Sequence, residues 1–502
     1  MDRATNGRST SHSSQLDVEG KPRSVALGQG LLDGDQGDDV GDAGRKIDEK
    51  LEAAAIDDGV PKPRLSSIPR AAFNIFKGNV GAGVFLLPTA YTEAGYVFGP
   101  IFAILCGLMV IDCSLMLLRC KTRIGRPDVQ TYPQVAKFVY GDVMLMMVNV
   151  ALVLTQFGFV LLYLQFSAGV FEVLIPFTGA YKVYVLIGTL IVTPLTFLTG
   201  NLRLLAITSI IASVCVFYCI AGTFGYTMSN VSSGVSCTIE AVEDPSKWVL
   251  FFASQMTVLE GIGIVLPVEN SVKHKEKFPG MLRATLGLIV IMYLTYGVAG
   301  YVAYGSELTT SLVNILPASP FTTTVQVALA TQLLLTAPLQ FVPAIQIVDK
   351  AMKVPPHMVT KSTRAIAARV VIMLILMMLG MMIGPDALGL ILAFIGSIAA
   401  TFIAVILPAF LELLGPYAAE HPDEKRNASF MKNMFSGGCT FRRVRAYIFA
   451  IVGAVIMIVG TVTCIIDATK LFGHKVGTAH RPGVNGTNPH ANFSTVNTSN
   501  IC

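Results

Sequence analysis

The chain has 502 residues, of which 53% are hydrophobic and 14% charged, and its mean hydropathy is +0.62. A soluble globular protein is about one quarter charged, and the apolar residues here lie in runs as long as a bilayer-crossing helix. This composition excludes a soluble protein and indicates an all-α polytopic membrane protein. With 37 basic and 32 acidic residues, the net charge of +5 is too small to indicate a nucleic-acid partner.

The first 60 residues contain 13 acidic and 7 basic residues, and many Gly and Ser. Such a composition cannot bury enough apolar surface to fold alone. We therefore expect a disordered tail over residues 1–65. A transmembrane domain over residues 66–470 and a polar tail over residues 471–502 would follow it.

Hydropathy predicts eleven membrane-spanning helices in the transmembrane domain. The first five lie near residues 71–91, 97–118, 142–168, 183–199 and 205–227. The other six lie near residues 248–268, 284–304, 322–348, 369–384, 388–410 and 446–468. An odd number of spans puts the two termini on opposite sides of the membrane.

Basic residues are unevenly distributed between the two sides. From residue 61 onward, segments on the N-terminal side contain 24 Lys and Arg, and those on the other side contain five. Because Lys and Arg accumulate on the cytoplasmic side, we expect a cytoplasmic N-terminus and an extracellular or lumenal C-terminus. N-glycosylation occurs only on the extracellular or lumenal side. In this orientation that side contains four acceptor sequons, at Asn230, Asn485, Asn492 and Asn497, which agrees with the charge bias.

Most of the nine Cys lie in apolar spans, where Cys behaves as a small hydrophobe. Only Cys237 and Cys502 are predicted on the outer side, where they either form a disulfide or remain free thiols. No Cys/His spacing resembles a zinc site, and we expect neither a metal nor another cofactor.

Two spans contain glycines that weaken a helix. Residues 77–83 read KGNVGAG and precede Pro88, and residues 260–263 read EGIG and precede Pro267. Each Gly destabilises a helix by about 1 kcal/mol relative to Ala. Within a membrane, an unwound backbone is tolerated where it lines a cavity. Paired broken spans indicate the midplane substrate site of a transporter. We therefore predict inverted five-helix repeats with broken helices one and six, and an added eleventh helix.

The freed backbone groups match an amino acid zwitterion, because N–H groups suit its carboxylate and carbonyl groups suit its ammonium. The alternative is that the glycines form a packing face for a neighbouring helix. A lone polar residue in a span likewise often bonds another helix instead of a ligand. The candidate substrate contacts are Gly78, Asn79, Val80, Gly81, Ala82, Gly83, Gln156, Phe252, Ser254, Gly261, Ile262, Gly263 and Thr336.

Ionisable residues within a membrane are candidates for function, and here they are Lys77, Asp112 and Glu260. All seven His lie in tails or loops, so proton coupling would need a carboxylate. Glu260, at the second break, is the candidate, and its alternative is a permanent ion pair with Lys77. For Asp112 the alternative is snorkelling to water at the inner end of its span.

In these stretches the chain resembles the amino acid/auxin permease family, and within it the proton-coupled and vacuolar neutral amino acid transporters. The similar stretches read FKGNVGAG (76–83) with Leu87-Pro88, LTQFG (154–158), LEGIGIVLP (259–267) and KHKEKF (273–278). The resemblance covers about residues 65–415. It implies an eleven-helix LeuT-like fold of the APC superfamily, alternating access and amino acid transport, often of small neutral substrates and commonly with protons. Animal proton-coupled members differ in having His where Asn74 stands, and relatives often have His in place of Asp112.

The sequence thus predicts a secondary active amino acid transporter, and not an enzyme, in the plasma membrane or a vacuolar or lysosomal membrane. Its partners would be the amino acid and the lipid bilayer, with H⁺ or Na⁺ as the coupling ion. The alternatives are a sodium-coupled permease of the same fold and a membrane protein that senses an amino acid without net transport. No oligomeric state follows from the sequence.

Overall fold

The structure is a computed structural model that describes residues 66–197, 202–308, 311–355, 362–424, 426, 431–434 and 440–479. The predicted tail over residues 1–65 lies outside the described residues. So do Asn485, Asn492, Asn497 and Cys502 in the predicted C-terminal tail.

The described chain is helical and contains no strand, apart from one isolated bridge between Ser66 and Val272. We number the α-helices in chain order. The first eight are α1 (Ile68–Asn79), α2 (Leu87–Ala90), α3 (Gly95–Ile124), α4 (Tyr132–Tyr140), α5 (Asp142–Leu174), α6 (Ala180–Leu195), α7 (Leu202–Ser233) and α8 (Trp248–Val258). The remainder are α9 (Val265–Asn270), α10 (Phe278–Tyr304), α11 (Pro320–Ala351), α12 (Thr363–Ile383), α13 (Leu388–Ile395), α14 (Leu407–Glu420) and α15 (Phe441–Ala479).

Within the described residues, nine helical stretches of 21 to 33 residues are long and apolar enough to cross a membrane. They coincide with the second, third and fifth to eleventh predicted spans, so the prediction of an all-α polytopic membrane protein is confirmed. The fourth predicted span corresponds to the shorter apolar helix α6, and the first to the interrupted segment α1–α2. Large apolar side chains such as Leu190 and Met382 are 64% and 71% exposed, as expected of surfaces that face lipid.

Helix α4 was not predicted. Its start is fixed by a capping box in which Thr131 and Gln134 bond each other's backbone groups. The Tyr132 hydroxyl donates to the Ile403 carbonyl at 2.7 Å, and the Tyr140 hydroxyl donates to the Phe410 carbonyl at 2.6 Å. These bonds hold α4 against α14 and the segment that leads into it.

Three segments meet on the face of the bundle at which α1 begins, which we call the N-terminal face. The Ser66 N–H donates to the Ser271 carbonyl at 2.6 Å, and the Lys273 N–H donates to the Ser66 carbonyl at 3.3 Å. Lys121, near the end of α3, forms a buried ion pair with Glu269 and bonds the Asn270 side chain. The start of α1 and the ends of α3 and α9 are therefore tied together.

Candidate substrate site between two broken helices

The first break separates α1 from α2. Helix α1 ends at Asn79, and the next two residues are extended, Val80 with φ −83° and ψ 105° and Gly81 with φ −135° and ψ −162°. A 3₁₀ helix, Ala82–Leu86, then leads into α2. The first N–H groups of a helix have no partner within it, so this break presents backbone donors.

The second break separates α8 from α9. Helix α8 ends at Val258, residues 259–261 leave the helical path, and a 3₁₀ helix, Ile262–Ile264, leads into α9. Both predicted interruptions are therefore present, each as a helix, a non-helical step, a short 3₁₀ helix and a second helix.

The two breaks touch each other at glycines. A β-carbon on Gly261 would collide with the side chain of Asn79, and one on Gly78 would collide with Ile264. Asn79 is itself fixed by two hydrogen bonds. Its side-chain Nδ2 donates to the Ile75 carbonyl at 2.8 Å, and its backbone carbonyl accepts from the Tyr293 hydroxyl at 2.7 Å. Glycine at these positions permits the close approach of the two broken segments.

A cavity of about 410 Å³ lies between the breaks and is also lined by α4, α5, α10, α11 and α13. Eight of the predicted site residues line it. These are Gly78, Asn79, Gly81, Gly83, Gln156, Glu260, Gly261 and Gly263.

The other candidates lie elsewhere. Val80, Ala82 and Ile262 are buried within the breaks but do not line the cavity. Phe252 packs against Phe102, with ring centroids 4.7 Å apart. Buried Ser254 and half-buried Thr336 are also not among the lining residues, and the Thr336 hydroxyl donates to the Gln332 carbonyl at 2.7 Å.

Helix α5 contributes a row of side chains to the cavity. Leu152, Gln156, Phe159 and Tyr163 all line it and follow one another at helical spacing along a single face. Gln156 is 9% exposed, and its Oε1 has no hydrogen-bond partner. A buried, unpaired amide oxygen beside a cavity is a ready acceptor for a ligand donor.

Sequence reasoning missed most of the remaining polar lining. The Tyr163 hydroxyl accepts from Gln340 Nε2 at 3.4 Å and lies 3.3 Å from where a β-carbon of Gly81 would be. Tyr293 lies on α10, and Thr257 lies one residue before the end of α8. For Tyr163 the signal was available, since it follows Gln156 by seven residues on the same helix face.

Glu260 is the one charged residue among those that line this cavity. It is half-buried and takes part in none of the ion pairs between described residues. Lys77 is also half-buried, but it does not line the cavity and is not within ion-pair distance of Glu260. The alternative of a permanent Lys77–Glu260 pair is therefore not what this structure contains.

Asp112 lies away from the cavity and has its own partners. Its Oδ2 is 2.7 Å from Arg445 Nε, and its Oδ1 is 3.7 Å from Arg119 Nη2. The residue lies 12 positions before the end of α3, about 18 Å along the axis. These ion pairs partner its charge, and the alternative of snorkelling to water stays a prediction.

The outer-side candidates are partly described. Asn230 is half-buried in the last turn of α7. Cys237 is disulfide-bonded, and because Cys502 lies outside the described residues, the pairing of these two stays a prediction. The glycosylation of Asn230, Asn485, Asn492 and Asn497 is likewise still a prediction.

The profile of one sequence family, described as "Transmembrane amino acid transporter protein", matches residues 64–466. The chain belongs to this family. The match confirms the resemblance found in the sequence, and it agrees with the prediction that the chain is not an enzyme, since members of the family are transporters.

Relatives of this transporter family occur in fungi and plants. "Vacuolar amino acid transporter 3" of Saccharomyces cerevisiae is 29% identical over 296 residues, which cover 57% of this chain and 42% of that protein. "Vacuolar amino acid transporter 3" of Schizosaccharomyces pombe is 25% identical over 359 residues, covering 70% of this chain and 53% of that protein. "Amino acid transporter AVT3A" of Arabidopsis thaliana is 28% identical over 311 residues, which cover 57% of this chain and 70% of that protein. The chain thus spans about half the length of the fungal relatives that it matches.

Proposed function

We propose that this chain is a secondary active transporter that moves amino acids across a membrane by alternating access. The observation that carries the proposal is the meeting of two broken helices at a cavity with one unpaired carboxylate. If the interrupted segment α1–α2 and the short helix α6 also cross the membrane, the chain has eleven spans. We propose that spans one to five and six to ten form the two inverted halves of a LeuT-like fold.

In this proposal the substrate's charged ends bind to backbone groups at the breaks. The free N–H groups after Gly81 would hold the carboxylate, because the start of a helical segment carries partial positive charge. Carbonyl groups at the ends of α1 and α8, together with Gln156 Oε1, would accept bonds from the ammonium group. Family membership and the two glycine-rich breaks support this arrangement.

We propose small neutral amino acids as the substrates. Leu152, Phe159, Val258 and Leu392 give the cavity apolar walls, and Glu260 is its one charged lining residue. An acidic substrate would need a cationic lining residue, which the described residues do not supply there. A basic substrate would need a second carboxylate in addition to the one proposed for coupling.

We propose that the coupling ion is H⁺ and that Glu260 carries it. A carboxylate without a cationic partner inside a membrane protein is costly to keep ionised. Glu260 would bind a proton when the cavity is open to one side of the membrane and release it when the cavity is open to the other side. This cycle removes the cost and couples the proton gradient to amino acid transport.

The test uses the purified full chain in proteoliposomes, with radiolabelled alanine, an imposed pH gradient, and Na⁺ present or absent. Wild type should accumulate alanine in the absence of Na⁺ when the proton gradient drives uptake. Glu260→Gln should lose this accumulation but retain exchange of labelled for unlabelled alanine, whereas Glu276→Gln, exposed on the N-terminal face, should behave as wild type. Accumulation by Glu260→Gln equal to wild type would refute the coupling role, a Na⁺ requirement would favour the sodium-coupled alternative, and binding without exchange would favour a sensor.

For location we propose the vacuolar membrane, by similarity to relatives named as vacuolar, with the N-terminus in the cytoplasm. If so, Asn485, Asn492 and Asn497 face the lumen and can be glycosylated. Peptide N-glycosidase should reduce the apparent mass of the wild-type chain. A variant in which Asn230, Asn485, Asn492 and Asn497 are all replaced by Gln should migrate at the reduced mass without treatment. No mass change in wild type would speak against this orientation.

A further inference from the structure

A second cavity, of about 390 Å³, lies on the N-terminal face, away from the breaks. It is formed by the end of α3, the start of α10, the end of α14 and the start of α15. Four arginines line it, Arg119 and Arg123 on α3, Arg283 on α10 and Arg442 on α15. The fold thus brings together cationic side chains from three helices that are distant in sequence.

The positive charge of this cavity is largely unbalanced. Its one acidic lining residue is Glu412, whose Oε2 is 3.4 Å from Arg119 Nε. Within the described part of the chain, Arg123, Arg283 and Arg442 form no ion pair and no side-chain hydrogen bond, and all three are exposed. Three guanidinium groups therefore remain available to an anionic ligand.

The remaining walls of the cavity are mostly apolar. Leu115 and Leu118 on α3 and Leu411 on α14 are buried and line it, as do two half-buried prolines. Two turns before Leu115 on the same face of α3, Leu108 is 60% exposed, and on α10 Ile291 is 61% exposed. The arginines thus stand at the end of an apolar surface that continues along two helices.

We propose that this cavity binds the phosphate headgroup of an anionic phospholipid. Arginine forms paired N–H donors that match phosphate oxygens, and basic cavities between the ends of membrane helices suit acidic headgroups. Free phosphate would use the same arginines but would leave the exposed apolar surface of Leu108 and Ile291 without a partner. A lipid uses both, because its headgroup contacts the arginines while its acyl chains lie along that surface.

The test measures binding to the purified full chain in neutral detergent, by calorimetric titration. The probes are dioctanoyl phosphatidic acid, dioctanoyl phosphatidylcholine, glycerol 3-phosphate and inorganic phosphate. The variants are Arg123→Gln/Arg283→Gln/Arg442→Gln and the charge-retaining triple Arg→Lys change. A matched control, Lys273→Gln/Lys275→Gln/Lys277→Gln, removes three exposed charges from the same face outside the cavity.

We expect wild type to bind dioctanoyl phosphatidic acid far more tightly than the other three probes. Each arginine near an acidic headgroup is worth about fivefold in affinity, so the Arg→Gln triple should bind roughly 100-fold more weakly. The Arg→Lys triple keeps the charge but loses the paired donors, so it should bind more weakly than wild type and more tightly than the Arg→Gln triple. The Lys→Gln triple should match wild type. A thermal unfolding midpoint equal to that of wild type, measured with phosphatidylcholine, shows that a variant is folded. If the Arg→Gln triple is not folded, the Arg→Lys triple is used in its place.

Equal weakening by the Arg→Gln and Lys→Gln triples would overturn the proposal, because it would mean diffuse attraction to a basic face. Equal affinity for phosphatidic acid and inorganic phosphate would overturn the lipid assignment in favour of a free-anion site. Equal affinity for phosphatidic acid and phosphatidylcholine would exclude recognition of charge by the arginines.

Discussion

The contact between Gly261 and Asn79 allows a sharp prediction about the two breaks. Replacing Gly261 by Ala places a β-carbon where the Asn79 side chain now lies. Asn79 is 7% exposed and bonds the Ile75 carbonyl at 2.8 Å, so its amide cannot move aside without losing that bond. By contrast, a β-carbon on Gly263 would meet no atom within 4 Å.

The cost follows from two contributions. Overpacking a closely packed site costs about 1–3 kcal/mol, and a buried amide left without its hydrogen bond costs about 1–3 kcal/mol more. The arrangement in which the breaks touch should therefore be destabilised by roughly 2–6 kcal/mol, which lowers its equilibrium ratio to other arrangements at least about 30-fold. Because the cavity is formed by this arrangement, alanine uptake by Gly261→Ala should fall below that of wild type.

Initial rates of alanine uptake in proteoliposomes test the prediction. Because Gly263 lines the same cavity, Gly263→Ala is the matched control for stability and not for uptake. The thermal unfolding midpoint provides a second measurement. Gly261→Ala should lower it, and adding Asn79→Ala should restore part of the loss, because the colliding amide is then gone. If Gly261→Ala and Gly263→Ala had equal midpoints, the packing argument would be wrong.

Two further predictions concern residues with buried polar groups. Arg369 is 1% exposed and pairs with Asp349 at 2.7 and 3.1 Å, so Asp349→Ala should destabilise the fold by about 3–5 kcal/mol, whereas Asp349→Leu/Arg369→Leu should unfold near the wild-type temperature. A thermal midpoint for Asp349→Ala equal to that of the double variant would contradict this. Gln156→Leu removes the unpaired Oε1 that faces the cavity, so the KM for alanine should rise about tenfold or more. A Thr336→Val control should leave KM unchanged, because Thr336 does not line the cavity.

The sequence predicted the long helices well because their signal is local. A run of apolar residues of bilayer length is visible without knowledge of the fold, and the nine long stretches all lie at predicted spans. The broken segments were also predictable, since Gly81 and Gly261 lie in glycine-rich strings followed by proline.

What the sequence did not predict depends on contacts between distant segments. Helix α4 has nine residues and is too short for a span signal. Tyr293 and Gln340 resemble any other polar residue of an apolar helix, and only the fold brings them to the cavity. Phe252 was a candidate because it lies near the second break, but its ring faces Phe102 instead.

The structure divides the ionisable residues of the spans into those with an oppositely charged partner and those without one. Their positions in the sequence could not show this difference. Asp112, Lys121 and Asp349 each contact an oppositely charged side chain, and these pairs join α3 to α15, α3 to α9 and α11 to α12. Each of these charges is neutralised by its partner, and removing one partner would leave an uncompensated buried charge. Glu260 has no such partner within the described residues, although it lies where two helices are already broken. In the function proposed above, a proton neutralises this carboxylate for part of the time, which is why the coupling experiment centres on this residue.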